Sequence, residues 1–288
     1  MELQVGNRFL DRYDILELIN RGSLGNIYKA KDRQKNQYVA IKMLQCTEAG
    51  SIIPWRRRVY RFVKEHRILS RLQGSEHIVQ LYDFGEWGED YYLVLEYIEG
   101  KPLSHWKGKH WDFPLLTHVI RQCLQGLATM HSKKMIHRDF KPSNIMVTGL
   151  NEKDEPDLAQ VDAKVIDLNL VKTDTTQGET ASDELVGTLF YMAPEQFKRE
   201  HIDARSDLYS VGVVMYEMAT GHYPIQGNNA IDLVFQLVGN GQPEPISSYR
   251  PEILSELDQL ILRLLQKNKE DRPESASEVI DILNSIGI

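Results

Sequence analysis

The segment HRDFKPSN, residues 137–144, sets Asp139, Lys141 and Asn144 two and three residues apart around a proline. Asp, Asn, Pro and Ser are ordinary turn residues, so a surface loop could hold them all. As chemistry the set is coherent. Asp139 can accept a proton from an attacking hydroxyl, Lys141 can stabilise a transferring negative charge, and Asn144 offers a carbonyl oxygen to Mg²⁺. Downstream, the apolar run KVIDLNL (164–170) delivers Asp167 as a second hard oxygen ligand. Two such ligands suit Mg²⁺, which keeps several waters and takes further oxygens from phosphate. Upstream, NRGSLGNIYKA (20–30) places Gly22 and Gly25 between strand-like runs. Bare backbone there can approach a ligand and turn N–H groups toward phosphate, or simply close a hairpin. Lys42 of VAIK follows 17 residues after Gly25 and can pair with phosphate if a carboxylate fixes it. Glu65, in FVKEHRILSRL, is the candidate, and can equally be a surface partner of a neighbouring turn.

The elements that must position these residues fall into two kinds. Residues 9–45 run FLDRYDILELI, NIYKAKD and QYVAIKML, short Tyr-, Val- and Ile-rich stretches punctuated by Asn, Gly and Asp, as in an antiparallel meander. The stretch WRRRVYRFVKEHRILSRLQG predicts a helix closed near Gly74, and HIVQLYDFGE and DYYLVLEYI add two strands. That makes five strands and one helix. After Gly100 helices take over: Leu115, Leu116, Val119, Ile120, Cys123, Leu124, Leu127 and Ala128 form one helical face. Further helices are predicted over 205–220, 229–239, 255–267 and 275–286. The boundary falls in EYIEG, giving an N-terminal lobe over residues 1–95, a short hinge over 96–100 and a C-terminal lobe over 101–288.

Composition narrows the classes of function. A length of 288 residues exceeds one ordinary core, and 42% hydrophobic with 26% charged residues describes a folded chain. The net charge of −7 argues against a nucleic-acid partner. Two distant cysteines, Cys46 and Cys123, suit a reducing compartment better than a disulfide framework. No apolar run approaches the ~20 residues of a membrane span, and the opening residues MELQVGNRFLDRYD lack the marks of a secretory leader. A cytoplasmic location is expected.

Taken in order from Gly22 to Arg272, these motifs resemble the eukaryotic-type serine/threonine protein kinases, in their bacterial-like form. HRDxKxxN alone fixes five residue types, a chance event of about one in ten thousand for a chain this long; VAIK upstream and GTLFYMAPE downstream add to it. The resemblance implies an α+β bilobal fold: an N-terminal lobe with a five-stranded antiparallel sheet and one helix, and a larger, mainly helical C-terminal lobe. It implies ATP and Mg²⁺ as cofactors and a protein substrate, with Ser or Thr as acceptor given Lys141. Lys42 would pair with the α/β-phosphates and Glu65, Asp139 would be the catalytic base, and Asn144 and Asp167 would hold Mg²⁺. Asn20, Gly22 and Gly25 would form the phosphate-covering loop. Ile27, Ala40 and Met146 would line the adenine slot, Leu95 would stand as gatekeeper, and Glu96 and Ile98 would give hinge backbone hydrogen bonds. Glu195 would pair with Arg272, and Asp207 would support the catalytic-loop backbone.

Two positions depart from the family pattern. Asn20 stands where the first loop glycine is usual, and Asn tolerates positive φ. DLN (167–169) replaces DFG, keeping the metal-binding Asp but putting Asn169 where a glycine is usual. These departures are the only support for the alternative, a catalytically impaired, nucleotide-binding pseudokinase scaffold. A small-molecule kinase of related fold is disfavoured by GTLFYMAPE, which resembles a peptide-positioning segment. Arg138 before the catalytic Asp suggests activation by phosphate on the segment before Glu195, with Thr180 and Ser182 the candidate phosphosites and autophosphorylation the expected route. The basic helix 56–67 (Arg56, Arg57, Arg58, Arg61, Lys64, Arg67) reads as a solvated face or as the seat of a regulatory partner or phosphorylated loop.

Overall fold

The computed structural model describes residues 3–22, 25–46, 54–109, 111–150, 157–168, 188–198 and 200–287. The chain divides into two compact units: Met1–Glu99 with Asp167–Asn169, and Gly100–Ile166 with Leu170–Ile288.

In the first unit, β1 (Arg8–Phe9), β2 (Tyr13–Gly22), β3 (Gly25–Asp32), β4 (Gln37–Leu44), β5 (Leu81–Trp87) and β6 (Asp90–Glu96) form an antiparallel sheet in the order β1-β2-β3-β4-β6-β5. The five expected strands are there, with the two-residue β1 added at one edge. The run FLDRYDILELI is not one strand: Leu10 and Asp11, both at φ 51, turn the chain between β1 and β2. Successive side chains of a strand point to opposite faces. In β4 this sends Val39, Ile41 and Met43 into a core with Tyr13, Ile15, Tyr28, Ala30 and Val94. Leu44 goes to the other face, which packs with Phe62 and Leu93. Phe62 belongs to α1 (Trp55–Arg71), so Lys42, two residues before Leu44, is on the face that meets this helix.

The second unit is built around α2 (Phe113–Ser132) and α4 (Ala204–Thr220), with α3 (Pro194–Lys198), α5 (Ala230–Val238), α6 (Ser255–Leu264) and α7 (Ala276–Ile286). Asp112 caps α2 by accepting from Leu115 N at 2.8 Å, and Pro114 occupies its first turn. Every residue of α4 from Ser206 to Ala219 is buried, and Gly221 at φ 77 ends the helix. A helix buried on all sides must find protein partners for its polar side chains: Asp207 accepts from the His137 and Arg138 amides, Ser210 Oγ donates to Tyr191 O at 2.7 Å, and Glu217 Oε2 accepts from Tyr191 Oη. A small sheet, β7-β8-β9 (Lys101–Pro102, Ile145–Thr148, Asp162–Val165), flanks the loop that carries HRDFKPSN. Among the described residues no helix is long and apolar enough to cross a membrane.

Candidate active site

In the first unit the VAIK lysine and the α1 glutamate meet. Lys42 Nζ donates to both Glu65 oxygens, at 2.9 and 2.8 Å, and both residues are buried. Burial pushes the Glu65 carboxyl up, against the downward pull of Lys42, and Asp167 pushes it further up. The surface-partner reading of Glu65 is thereby excluded. Asp167 itself sits at φ 59, in the left-handed region that Asp tolerates better than most side chains.

The strands order the residues expected around a nucleotide. Gly22 pairs with Gly25, Asn20 with Ile27, Ile27 with Lys42, and Ala40 with Leu95. Ile27, Ala40, Leu95 and Ile98 lie at buried or half-buried positions, as does Met146, which lies on β8 of the second unit. Glu96 commits its N–H to Gln80 O at 2.8 Å, so a backbone hinge hydrogen bond at this residue must be accepted by its carbonyl. Gly25 has a reason of its own: at φ 120, a Cβ there would lie 1.9 Å from Met43 O. The close backbone approach predicted for a ligand is thus also made to the neighbouring strand. Asn20 lies within β2, at negative φ, so its replacement of a glycine demands no positive φ.

The second unit holds the catalytic-loop residues. Asp139 Oδ2 receives Lys141 Nζ at 3.0 Å and Asn144 Nδ2 at 2.9 Å, and the same amide also donates to Asp139 O at 2.8 Å. With its NH₂ end spent on Asp139, Asn144 presents its carbonyl oxygen as the remaining polar atom. That is the donor a hard cation takes, so the residue fits Mg²⁺. Lys141 also donates to Thr188 Oγ1 at 3.0 Å, tying the GTLFYMAPE segment to the loop. The loop backbone is anchored from below. His137 N and Arg138 N donate to the two oxygens of the fully buried Asp207, each at 2.9 Å, and His131 Nε2 lies 2.7 Å from it. Burial works against the Asp207 charge, but His131, His137 and the Arg138 amide hold its carboxyl below the usual range. The anchor matters because Arg138 sits at φ 68, a conformation costing an L-residue about 1–2 kcal/mol. Glu195 and Arg272 form a buried two-point pair at 2.8 and 2.9 Å.

Charge patterning misled in one place. Arg58, Arg61 and Lys64 of α1 are buried, on the same stripe as Phe62, Glu65, Ile68 and Leu69, so a wholly solvated basic face is wrong for half of the six basic residues. Only Arg56, Arg57 and Arg67 of the six are exposed. A side chain's type gives its preference for water, whereas helical geometry puts positions 58, 61, 62, 65, 68 and 69 on one face. Asn169, Thr180 and Ser182 lie outside the described residues. Sequence reasoning did not find the contact between Lys107 and Glu217, which no local spacing signals.

A family profile for the protein kinase domain matches residues 13–282. The chain is 31% identical over 287 residues to a probable serine/threonine-protein kinase of Clostridium acetobutylicum, covering 98% of this chain and 41% of that protein. It is 34% identical over 284 residues to the serine/threonine-protein kinase pkn3 of Myxococcus xanthus (94% and 49%). It is 32% identical over 279 residues to the serine/threonine-protein kinase PknB of Mycolicibacterium smegmatis (93% and 42%). The chain spans less than half the length of each of these relatives. With the loop, the two ion pairs and the sheet all in place, the chain belongs to the protein kinase domain family.

Proposed function

We propose that this chain transfers the γ-phosphoryl group of ATP to a Ser or Thr hydroxyl of a protein. The observation that carries the reading is the clamped Asp139: one carboxylate oxygen held by both an ammonium and an amide, on a loop fixed by a buried aspartate. A fixed carboxylate orients the acceptor hydroxyl and receives its proton as the oxygen attacks phosphorus. Lys141, 3.0 Å from Asp139, would offset negative charge gathering on the transferring group, and Lys42, held by Glu65, would offer its ammonium to the phosphates. Asn144 and Asp167 each offer Mg²⁺ a hard oxygen, and the bound ion would supply the positive charge that screens the phosphate oxygens. Ile27, Ala40, Leu95 and Met146 suit an adenine ring, and Gly22 and Gly25 the phosphate tail.

The scaffold reading is not favoured. Lys42, Glu65, Asp139, Asn144 and Asp167 are all present, and Asn20 fits its strand without strain. Two free cysteines support a reducing, cytoplasmic setting. An acidic regulatory partner would meet α1 through Arg56, Arg57 and Arg67, and Thr180 and Ser182 remain the proposed autophosphorylation sites. The test is incubation with labelled ATP, Mg²⁺ and a generic protein substrate. The wild type is expected to yield phosphoserine or phosphothreonine, and Asp139→Asn to lose at least about a hundredfold in rate with its fold intact. Undiminished transfer by Asp139→Asn would remove the role assigned to the carboxylate.

A further inference from the structure

Asn26 and Gln45 are amide side chains buried in the first unit, 5% and 8% exposed, next to the apolar core that holds Tyr28 and Met43. A buried amide is costly unless it is hydrogen-bonded, so each must find partners in the fold. Asn26 Nδ2 donates to Gln45 Oε1 at 3.3 Å and to Tyr28 Oη at 3.4 Å, which uses both of its hydrogens. Both bonds stand at the long end of the range, so a small drift of the strand breaks them. Gln45 is itself held in place. The next residue, Cys46, donates its N–H to Oδ1 of the buried Asp90 at 2.8 Å, which ties the chain just past β4 to the start of β6.

This amide pair lies directly behind positions expected to meet the nucleotide. β3 pairs with β4 in one unbroken register, Asn26 opposite Met43 and Ile27 opposite Lys42. Alternation along the strand puts Asn26 and Tyr28 on the core face and Ile27 on the opposite one, which it shares with Lys42. Gly25, one residue before Asn26, approaches β4 so closely that a Cβ would meet Met43 O. Against β2 the same strand shows two register shifts, between Ile15 and Glu17 and between Leu18 and Asn20. The regular partner that fixes where β3 begins is therefore β4.

We propose that Asn26 is a positioning residue for the nucleotide: through Gln45 it fixes the start of β3 on β4, and so holds Gly25 and Ile27 where the phosphate tail and the adenine ring meet them. This rests on the kinase reading above. Asn26 turns its side chain into the core and brings no charge to the reaction. Asp139 and Lys141 belong to the other unit and keep their contact without it. Loss of Asn26 therefore weakens nucleotide binding more than it slows the chemical step.

The test is steady-state kinetics with ATP as the varied substrate for wild type, Asn26→Ala, Gln45→Ala and the double variant, with a thermal melt of each. KM for ATP is expected to rise about fivefold in either single variant, while kcat stays within about twofold of wild type. The double variant should be no worse than either single one, because both remove the same contact. A lowered melting temperature with an unchanged KM, or a double variant whose change in KM is the product of the single ones, overturns the proposal while leaving the kinase reading intact. Asn26→Thr keeps a hydroxyl donor on a strand-forming side chain and should recover part of the affinity. Should neither this variant nor Asn26→Ala fold, the pair is purely structural and the proposal falls. Were the wild type unable to transfer phosphate, the kinase reading would fail, and binding of a fluorescent ATP analogue would judge the pair. A dissociation constant about five times higher in Asn26→Ala is then expected, and equal affinity, or no binding to the wild type, overturns the proposal.

Discussion

Each unit contains a buried ion pair between residues far apart in sequence, and the two pairs are built differently. In the second unit Arg272 gives Glu195 two hydrogen bonds and spends its remaining donors on Arg205 O, Gln266 O and Lys267 O, with its guanidinium 4.9 Å from the Tyr209 ring centre. Glu195 also takes Ser206 Oγ at 2.6 Å. Burial works against its charge, yet Arg272 and Ser206 hold the carboxyl below the usual range. In the first unit both oxygens of Glu65 depend on one ammonium, Asp167 adds a like charge, and burial pushes the carboxyl up. A fully bonded network rigidifies its surroundings, whereas an incompletely compensated charge marks a place where a ligand can add something. On this contrast we read the Glu195–Arg272 pair as a brace and the Lys42–Glu65 pair as part of the proposed machinery.

The largest expected effect breaks the brace. Arg272→Ala leaves a buried carboxylate without its partner and should cost about 3–5 kcal/mol of stability in urea denaturation. A loss below about 1 kcal/mol, the scale of an exposed pair, would mean that the network carries little.

A smaller effect sharpens the contrast through its sign. The folded pKa of Glu195 is depressed, so its stabilisation is full above the unfolded value, about 4.3, and is lost as pH falls through the folded value. The folded pKa of Glu65 is raised, so its ionisation opposes folding increasingly as pH climbs from the unfolded value toward the folded one. Glu195→Gln should therefore cost more at pH 7 than at pH 4, and Glu65→Gln less at pH 7 than at pH 4. Slopes of the same sign for both variants would dissolve the distinction.

Much of this was legible in the chain itself. VAIK has the alternation that turns Lys42 away from Val39 and Ile41, and the helical spacing of FVKEHRILSRL carries Glu65 on the stripe of Phe62, Ile68 and Leu69. The helix at 113–132 shows in its apolar face and in Asp112 and Pro114 at its start. What stayed hidden depends on distant neighbours. Arg58, Arg61 and Lys64 share the buried stripe although their charge suggests water. Gly25 answers to Met43 O on the adjoining strand β4, and Lys107 to a carboxylate on α4. Asn144 holding Asp139 through its amide is a matter of side-chain direction, which spacing does not encode. The edge strand Arg8–Phe9 is too short for any period to show.

The most direct measurement compares Lys42→Met with wild type in two assays on the same preparation: transfer of labelled phosphate from ATP, and urea denaturation. Because burial already favours the neutral form of Glu65, loss of Lys42 should cost less stability than Arg272→Ala, while transfer should fall by at least about a hundredfold. Transfer near the wild-type rate, or a stability loss as large as that of Arg272→Ala, would show that this pair too is only a brace.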